Sequence, residues 1–181
     1  MLSLGRTDGF WSNAAARIAV PPTLKKLEKT VRKVGMGSYA DQFHLSLNRA
    51  AEQAVPVAAE VFAASVQQMT IADARNILTG PKDAATQYFR RSTGELLRVK
   101  FRPLVAQATA KAGVAASYKQ LTGAAGPFAA ALGAPTDLDG YVTDQALDRL
   151  FLQVAAEEAR IRDNPAARGS EILRKVFGSA R

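Results

Sequence analysis

Apolar residues recur along this chain every three or four positions, which is the spacing that places side chains on one face of an α-helix. The clearest stripe covers residues 144–161, and a shorter one covers residues 23–34, opposite a run of lysines and arginines. No long stretch shows the two-residue alternation of a half-buried β-strand. The pattern therefore predicts an all-α protein, a compact irregular bundle of about seven or eight helices without a sheet.

The first 22 residues lack a helical period and end at Pro21-Pro22. We expect an extended N-terminal strap over residues 1–22, with Phe10 and Trp11 packed on the body of the protein. The alternative is an exposed binding tail. Residues 23–181 show no internal repeat. Because a chain of 181 residues suits one compact domain with a sizeable core, we predict a single helical domain over residues 23–181.

A central segment, residues 69–105, contains the strongest signals for helix ends. Gly80-Pro81 is a typical end of one helix followed by the start of the next. Two residue pairs also have the spacing of a capping box, in which a side chain at the start of a helix and one three residues later bond each other's backbone. These pairs are Thr70 with Asp73 and Ser92 with Glu95. The segment therefore predicts three helices, which cover residues 71–78, 82–91 and 93–112.

Two prolines fall inside predicted helices. Residues 38–69 fit one long helix or two helices joined at Pro56, and Pro103 lies in the helix predicted over residues 93–112. A proline removes a backbone hydrogen bond and kinks a helix. We therefore expect a bend at each proline.

The second half of the chain predicts four more helices, two short and two longer. The first covers residues 114–121, and a glycine-rich connector then surrounds a second one at 128–132. Thr143 is the expected cap of the long helix over residues 144–161. The last helix follows Asn164-Pro165, and its inward-facing residues are Ile172, Leu173, Val176 and Phe177.

The chain carries a formal charge of +8, from 24 basic and 16 acidic residues. This excess favours acidic partners such as nucleic acid, anionic lipid or polyanionic envelope polymers, although much of it can be ordinary solvated surface. The basic face of the helix over residues 23–34 is the candidate anion-binding surface, and its alternative is a solvated helix face. Its residues are Lys25, Lys29, Arg32 and Lys33.

The residue types that several kinds of site require are missing or rare. Cysteine is absent and His44 is the only histidine, which excludes disulfides and thiol nucleophiles and argues against a metal site or a Ser-His-Asp triad. We find no catalytic constellation and expect no metal and no cofactor. We expect His44 at the edge of the core with a hydrogen-bond partner. No apolar run has transmembrane length, and MLSLGRTDGF lacks the features of a signal peptide.

One carboxylate, Glu158, falls within the apolar stripe of the helix over residues 144–161. A carboxylate on a dry face is costly unless it is paired and hydrogen-bonded. We predict that Glu158 is buried and contacts an arginine of the central segment or a backbone donor at a helix start. The alternative is that it reaches solvent at the edge of the stripe. The candidate arginines are Arg90, Arg91, Arg98 and Arg102.

Several long segments resemble one bacterial family, known as domain of unknown function 4197. They are GRTDGFWSNAAARIAVP, FHLSLNRAAEQAVP, MTIADARNILTGPKDAATQYFRRST, YVTDQALDRLF and IRDNPAARGSEILRKVFG. The resemblance implies an exported protein of the periplasm or cell envelope, with a signal or lipoprotein sequence and an extra helix before the DGF segment. We therefore expect a longer native N-terminus, of which MLSLG is the remnant. The resemblance implies no activity and no catalytic residues.

These observations favour a non-enzymatic helical envelope protein that binds a partner or an apolar, lipid-like ligand. A pocket of more than roughly 300 Å³, lined by Phe and Leu side chains, would support this hypothesis. The alternative is an anion-binding module for anionic lipid or a polyanion, and the third hypothesis is a carboxylate-based hydrolase. An envelope polymer or a protein also remains a candidate partner. Nucleic acid is not expected, because no known binding motif is present.

Overall fold

The structure, a computed structural model, describes residues 2–124 and 137–164. These residues form six α-helices and two short 3₁₀ helices, and they contain no β-strand, so the all-α prediction is confirmed. The 3₁₀ helices are Leu2–Gly5 and Pro22–Leu24. The α-helices are α1 (Lys25–Lys33), α2 (Gly37–Gln67), α3 (Ile71–Thr79), α4 (Ala84–Lys111), α5 (Val114–Ala124) and α6 (Leu138–Asp163). The helices predicted around residues 128–132 and after Asn164-Pro165 lie outside the described residues.

Helix α2 lies at the centre of the fold and contacts α1, α4, α5, α6 and the first 3₁₀ helix. Much of its buried face is alanine, which lets the neighbouring helices approach closely. Phe62 of α2 packs edge-on against Phe89 of α4 at 5.3 Å and against Phe151 of α6 at 5.9 Å between ring centroids. Helices α2, α4 and α6 therefore share one aromatic cluster in the core.

Two local predictions in the first half of the chain are confirmed. Leu27 and Val31 of α1 and Leu24 just before it are buried, as the apolar stripe predicts. The capping box at the start of α3 is present: the Asp73 N–H donates to the Thr70 hydroxyl at 3.1 Å, and the Thr70 N–H donates to the Asp73 carboxylate at 3.1 Å.

The helix break predicted at Ser92 is wrong, because α4 is continuous from Ala84 to Lys111. The side chains at the expected break have other partners. The Ser92 hydroxyl lies 3.2 Å from the Ser65 hydroxyl of α2, and the Thr93 hydroxyl donates to the Phe89 carbonyl at 2.6 Å. Packing against α2 and α6 therefore overrides the local capping signal and keeps α4 continuous. Helix α4 also runs through Pro103, and α2 runs through Pro56.

Helix α6 begins six residues earlier than predicted, at Leu138 instead of Asp144. Its N-cap is Asp137, whose carboxylate accepts a hydrogen bond from the Gly140 N–H at 2.7 Å. Thr143, the predicted cap, lies inside the helix and donates its hydroxyl proton to the Asp139 carbonyl at 2.7 Å. The prediction failed because Asp and Thr are both good caps, and the sequence offers both.

The N-terminal segment is a 3₁₀ helix followed by turns as far as residue 16, so the prediction of an extended strap is wrong there. Its aromatic residues pack on the body as expected: Phe10 is fully buried, and Trp11 packs edge-on against His44 at 5.2 Å. The turns are stable because polar side chains of α2 bind their backbone. Glu52, for example, accepts hydrogen bonds from the N–H groups of Phe10 and Trp11 at 3.1 and 3.3 Å.

Candidate ligand-binding groove between α4 and α6

Helices α4 and α6 run antiparallel and are joined along their exposed edge by arginine–aspartate ion pairs. The arginines project from α4, and the aspartates project from α6 and its N-cap. Each arginine therefore has its own carboxylate, which relieves the repulsion between arginines spaced four residues apart. The pairs are Arg90–Asp148 at 3.1 Å, Arg98–Asp144 at 3.1 Å and Arg102–Asp137 at 2.9 Å.

A groove of about 460 Å³, which we call the α4–α6 groove, lies beside these ion pairs. Gly94, Leu147 and Phe151 provide its apolar lining. Its charged lining comes from the first two ion pairs and from Glu95. The groove thus combines an apolar surface with charged groups of both signs.

Gly94 opens the α4–α6 groove. A methyl group added to Gly94 would meet no heavy atom of the described residues within 4 Å, apart from its two chain neighbours and the nearby backbone of its own helix. Glycine in the middle of a helix is about 1 kcal/mol less favourable than alanine. The glycine that opens the groove therefore lowers the stability of α4.

A second, smaller groove of about 330 Å³ adjoins the first, and both are lined by Arg90 and Asp148. Arg90 also lies over the ring of Phe151, with its guanidinium carbon 4.8 Å from the ring centroid. The second groove is lined in addition by Gln145, Arg149 and the half-exposed Leu152. The Arg90–Asp148 pair thus forms a ridge between two neighbouring grooves.

Glu158 lies outside these grooves and is a buried structural group with 7% of its surface exposed. It accepts hydrogen bonds from the Ala85 N–H at 2.9 Å and from the N–H and hydroxyl of Thr86, both at 2.8 Å. These donors belong to the first turn of α4, one of the two kinds of partner expected. Arg162, one turn further along α6, donates two more hydrogen bonds at 3.0 and 2.8 Å.

The arginine that pairs with Glu158 is therefore Arg162 and none of the four expected ones. Three of those four bind aspartates at the exposed edge of α4 and α6. The fourth, Arg91, is exposed and lies near α3, where its positive charge makes a minor contribution to lowering the pKa of Asp73. The main cause of that lower pKa is the hydrogen bond from the Thr70 hydroxyl. Arg162 could have been found from its i,i+4 spacing to Glu158 on the same helix.

The candidate anion-binding face of α1 is exposed, but one of its four cations is already engaged. Arg32 pairs with Glu28 at 3.0 Å and with Asp41 at 2.6 Å, and these hydrogen bonds, the one to Asp41 above all, raise its pKa. The remaining candidates form no ion pair within the described part of the chain. They are Lys25, Lys29 and Lys33. The face thus offers three unpaired lysines on a single short helix.

Sequence reasoning missed a polar cluster on α2 that holds the N-terminal segment. Asn48 is fully buried and binds both the N–H and the carbonyl of Ile18, at 2.8 and 3.0 Å. His44 Nε2 lies 2.6 Å from the same carbonyl, as its expected position at the edge of the core requires. Glu52, 4% exposed, also pairs with Arg49 at 2.8 Å. The i,i+4 spacing of these three polar residues among buried alanines was the available signal.

The fold and the groove define the class of protein: an all-α domain with a partly apolar, charge-lined groove between two long helices. The chain belongs to the family described as protein of unknown function (DUF4197), whose model matches residues 1–178. A search of curated proteins and a search of solved structures each gave no match. Within the described residues, none of the helices combines the length and the apolar character needed to cross a membrane.

Proposed function

We propose that this protein is a non-enzymatic binding protein of the cell envelope, and that its α4–α6 groove holds a small amphipathic ligand. Such a ligand has an apolar part and an anionic end group. The observation that carries the proposal is the groove itself, whose volume of about 460 Å³ is within the usual range of ligand sites. Leu147 and Phe151, which are 8% and 3% exposed, would offer the apolar part of the ligand a narrow contact surface.

Two arginines of the lining can bind an anionic end group on the ligand, although the three carboxylates of the lining, Glu95, Asp144 and Asp148, outnumber them. Arg90 and Arg98 each bind one aspartate, and both arginine side chains are about half exposed. An incoming carboxylate or phosphate can share these guanidinium groups with Asp148 and Asp144, because each guanidinium has five N–H donors. The arginines therefore remain paired with an anionic group whether or not the ligand is bound.

The same ion pairs favour binding over hydrolysis. A glycosidase-type mechanism needs one carboxylic acid that holds its proton at neutral pH, which an apolar pocket provides. Asp144 and Asp148 are about half exposed and each lies beside an arginine, so neither is in an apolar pocket. We therefore propose no catalytic role for the groove.

The location in the periplasm or cell envelope remains part of the proposal and is supported by the family resemblance. An anionic lipid or a protein partner is compatible with the groove, since each presents apolar groups next to charged ones. Fractionation of the native organism, followed by immunodetection, tests the location. Recovery of the protein in the cytoplasmic fraction alone would contradict it.

Filling the groove tests the proposed function. In Gly94→Leu the new side chain projects into the α4–α6 groove, and the helix tolerates it because leucine has a higher helix propensity than glycine. We use octanoate as the probe, at concentrations below micelle formation, and measure binding by isothermal titration calorimetry. Wild-type protein should bind octanoate with a Kd on the order of 1 mM, about −4 kcal/mol. Gly94→Leu should bind at least about tenfold more weakly, which corresponds to about 1.4 kcal/mol.

Gly123→Leu is the matched control for this experiment. Gly123 also lies in a helix, and within the described part of the chain a methyl group added there would likewise meet no heavy atom within 4 Å beyond its chain neighbours and its own helix backbone. It does not line the groove, so this variant should bind octanoate as the wild type does. Equal affinity for octanoate in all three proteins would show that the α4–α6 groove is not the binding site.

A further inference from the structure

A second kind of groove, which we call the α2–α5 groove, lies where α4 ends and α5 begins, over one face of α2. Its volume is about 390 Å³. The polar side chains that line it belong to three helices, and four of the six come from α2. They are Gln42, Ser46, Arg49, Gln53, Lys111 and Ser117. Unlike the α4–α6 groove, this one has no carboxylate among the described residues of its lining.

The two cations of the α2–α5 groove differ in how they are held. Arg49 pairs with Glu52 at 2.8 Å and with Asp8 at 2.7 Å, so two carboxylates hold its guanidinium in place. These two ion pairs use only part of its donors, since a guanidinium has five N–H groups. Lys111 is exposed and forms no ion pair with any described residue. Lys111 is therefore the lining cation that has no carboxylate partner in the described part of the chain.

We propose that the α2–α5 groove binds a phosphate monoester. Lys111, the remaining donors of Arg49 and the side-chain amides of Gln42 and Gln53 can all donate hydrogen bonds to phosphate oxygens. The Ser46 hydroxyl already donates to the Phe43 carbonyl at 2.8 Å, so Ser46 offers only its oxygen as an acceptor. The polar lining fits a hydrophilic body attached to the phosphate, such as glycerol. This site is separate from the α4–α6 groove and does not depend on the function proposed for it.

The proposal is tested with glycerol 3-phosphate, added to ¹⁵N-labelled full-length protein at constant ionic strength. The expected result is a saturable shift of the side-chain amide signals of Gln42 and Gln53 and of the Ser117 backbone amide. Lys111→Gln should weaken binding at least about tenfold, because it removes a charge-assisted hydrogen bond. Lys100→Gln, which removes an exposed lysine of the same helix, should keep the wild-type affinity within about twofold.

Three outcomes would overturn the proposal. In the first, glycerol 3-phosphate causes no saturable shift at these residues. In the second, the shifts appear instead along Lys25, Lys29 and Lys33 of α1, which would assign anion binding to that helix. In the third, Lys111→Gln and Lys100→Gln have the same effect on affinity. Lys111 would then only interact favourably with the carbonyl groups at the end of α4.

The phosphate can come from a soluble ester or from a lipid headgroup, and a second arm separates the two sources. Vesicles that contain phosphatidic acid, whose headgroup is a phosphate monoester, are sedimented with wild-type protein and with Lys111→Gln, and phosphatidylcholine vesicles are the reference. Sedimentation with phosphatidic acid that Lys111→Gln abolishes identifies the lipid headgroup. Binding of glycerol 3-phosphate without sedimentation identifies a soluble ester. In both cases Gly94→Leu should bind as the wild type does, which keeps this result independent of the α4–α6 groove.

Discussion

Glu158→Ala should lower the free energy of unfolding by about 3–5 kcal/mol, the usual effect of removing one partner of a buried ion pair. The substitution leaves two backbone N–H groups in the first turn of α4 without an acceptor. It also removes the ion pair between Glu158 and Arg162, whose side chain is only 12% exposed. Unfolding by urea, followed by circular dichroism, measures the loss. A decrease in melting temperature of about 10 °C should accompany it.

Glu157→Ala is the matched control, because it removes the preceding glutamate from the same helix. Glu157 pairs with Arg160, and the two side chains are 43% and 55% exposed. Exposed pairs of this kind contribute about 0–1 kcal/mol, so this variant should be nearly as stable as the wild type. Glu158→Gln should fall between the two, since an amide oxygen can still accept hydrogen bonds from α4. Similar, small losses for all three variants would show that the Glu158 contacts do not stabilise the fold.

Glu52→Ala should destabilise the protein by about 3 kcal/mol, because Glu52 is a buried carboxylate that is both hydrogen-bonded and paired with the partly exposed Arg49. The carboxylate accepts the N–H groups of Phe10 and Trp11 and binds Arg49, so its loss releases the N-terminal segment from α2. Trp11 is the only tryptophan of the chain and reports on this segment by its fluorescence. In Glu52→Ala the fluorescence transition should precede the loss of helix on addition of urea.

Glu60→Ala provides the control for that experiment, since it removes an exposed glutamate from the same helix. Surface substitutions of this kind usually change stability by no more than about 0.5 kcal/mol. In the control and in the wild type, the fluorescence and circular dichroism transitions should coincide. If they also coincide in Glu52→Ala with an unchanged midpoint, then Glu52 does not hold the segment.

Helix starts that depend only on neighbouring residues were predictable from the sequence, whereas contacts with another helix were not. The capping box of Thr70 and Asp73 was predictable because both partners lie within four residues of chain. The same spacing at Ser92 and Glu95 failed, because the partner of Ser92 is Ser65 on another helix. The spacing at Thr70 and the spacing at Ser92 are equally good local signals for a helix start. Packing against a neighbouring helix overrides only the second, and a local sequence pattern does not show this packing.

The candidate sites were predictable in parts. Periodicity identified Glu158 as a buried carboxylate, but its donors at Ala85 and Thr86 are more than 70 residues away in sequence. Arg90 and Arg98 were expected as candidate partners of Glu158. They pair with aspartates instead, because the antiparallel packing of α4 and α6 brings aspartates next to them. For a lipid-like ligand we expected a pocket lined by Phe and Leu side chains. The α4–α6 groove differs from this expectation, because charged residues line it together with Leu147 and Phe151.

The most direct test of ligand binding in the α4–α6 groove is a map of where octanoate binds. In a ¹⁵N-resolved titration of the wild-type protein, glycine amide signals fall in a separate region of the spectrum and are easily followed. The Gly94 amide should shift with increasing octanoate and saturate in the millimolar range, together with the amides of Leu147 and Phe151, while the Gly123 amide should not move. Saturable shifts elsewhere, with Gly94 unchanged, would contradict the proposed function.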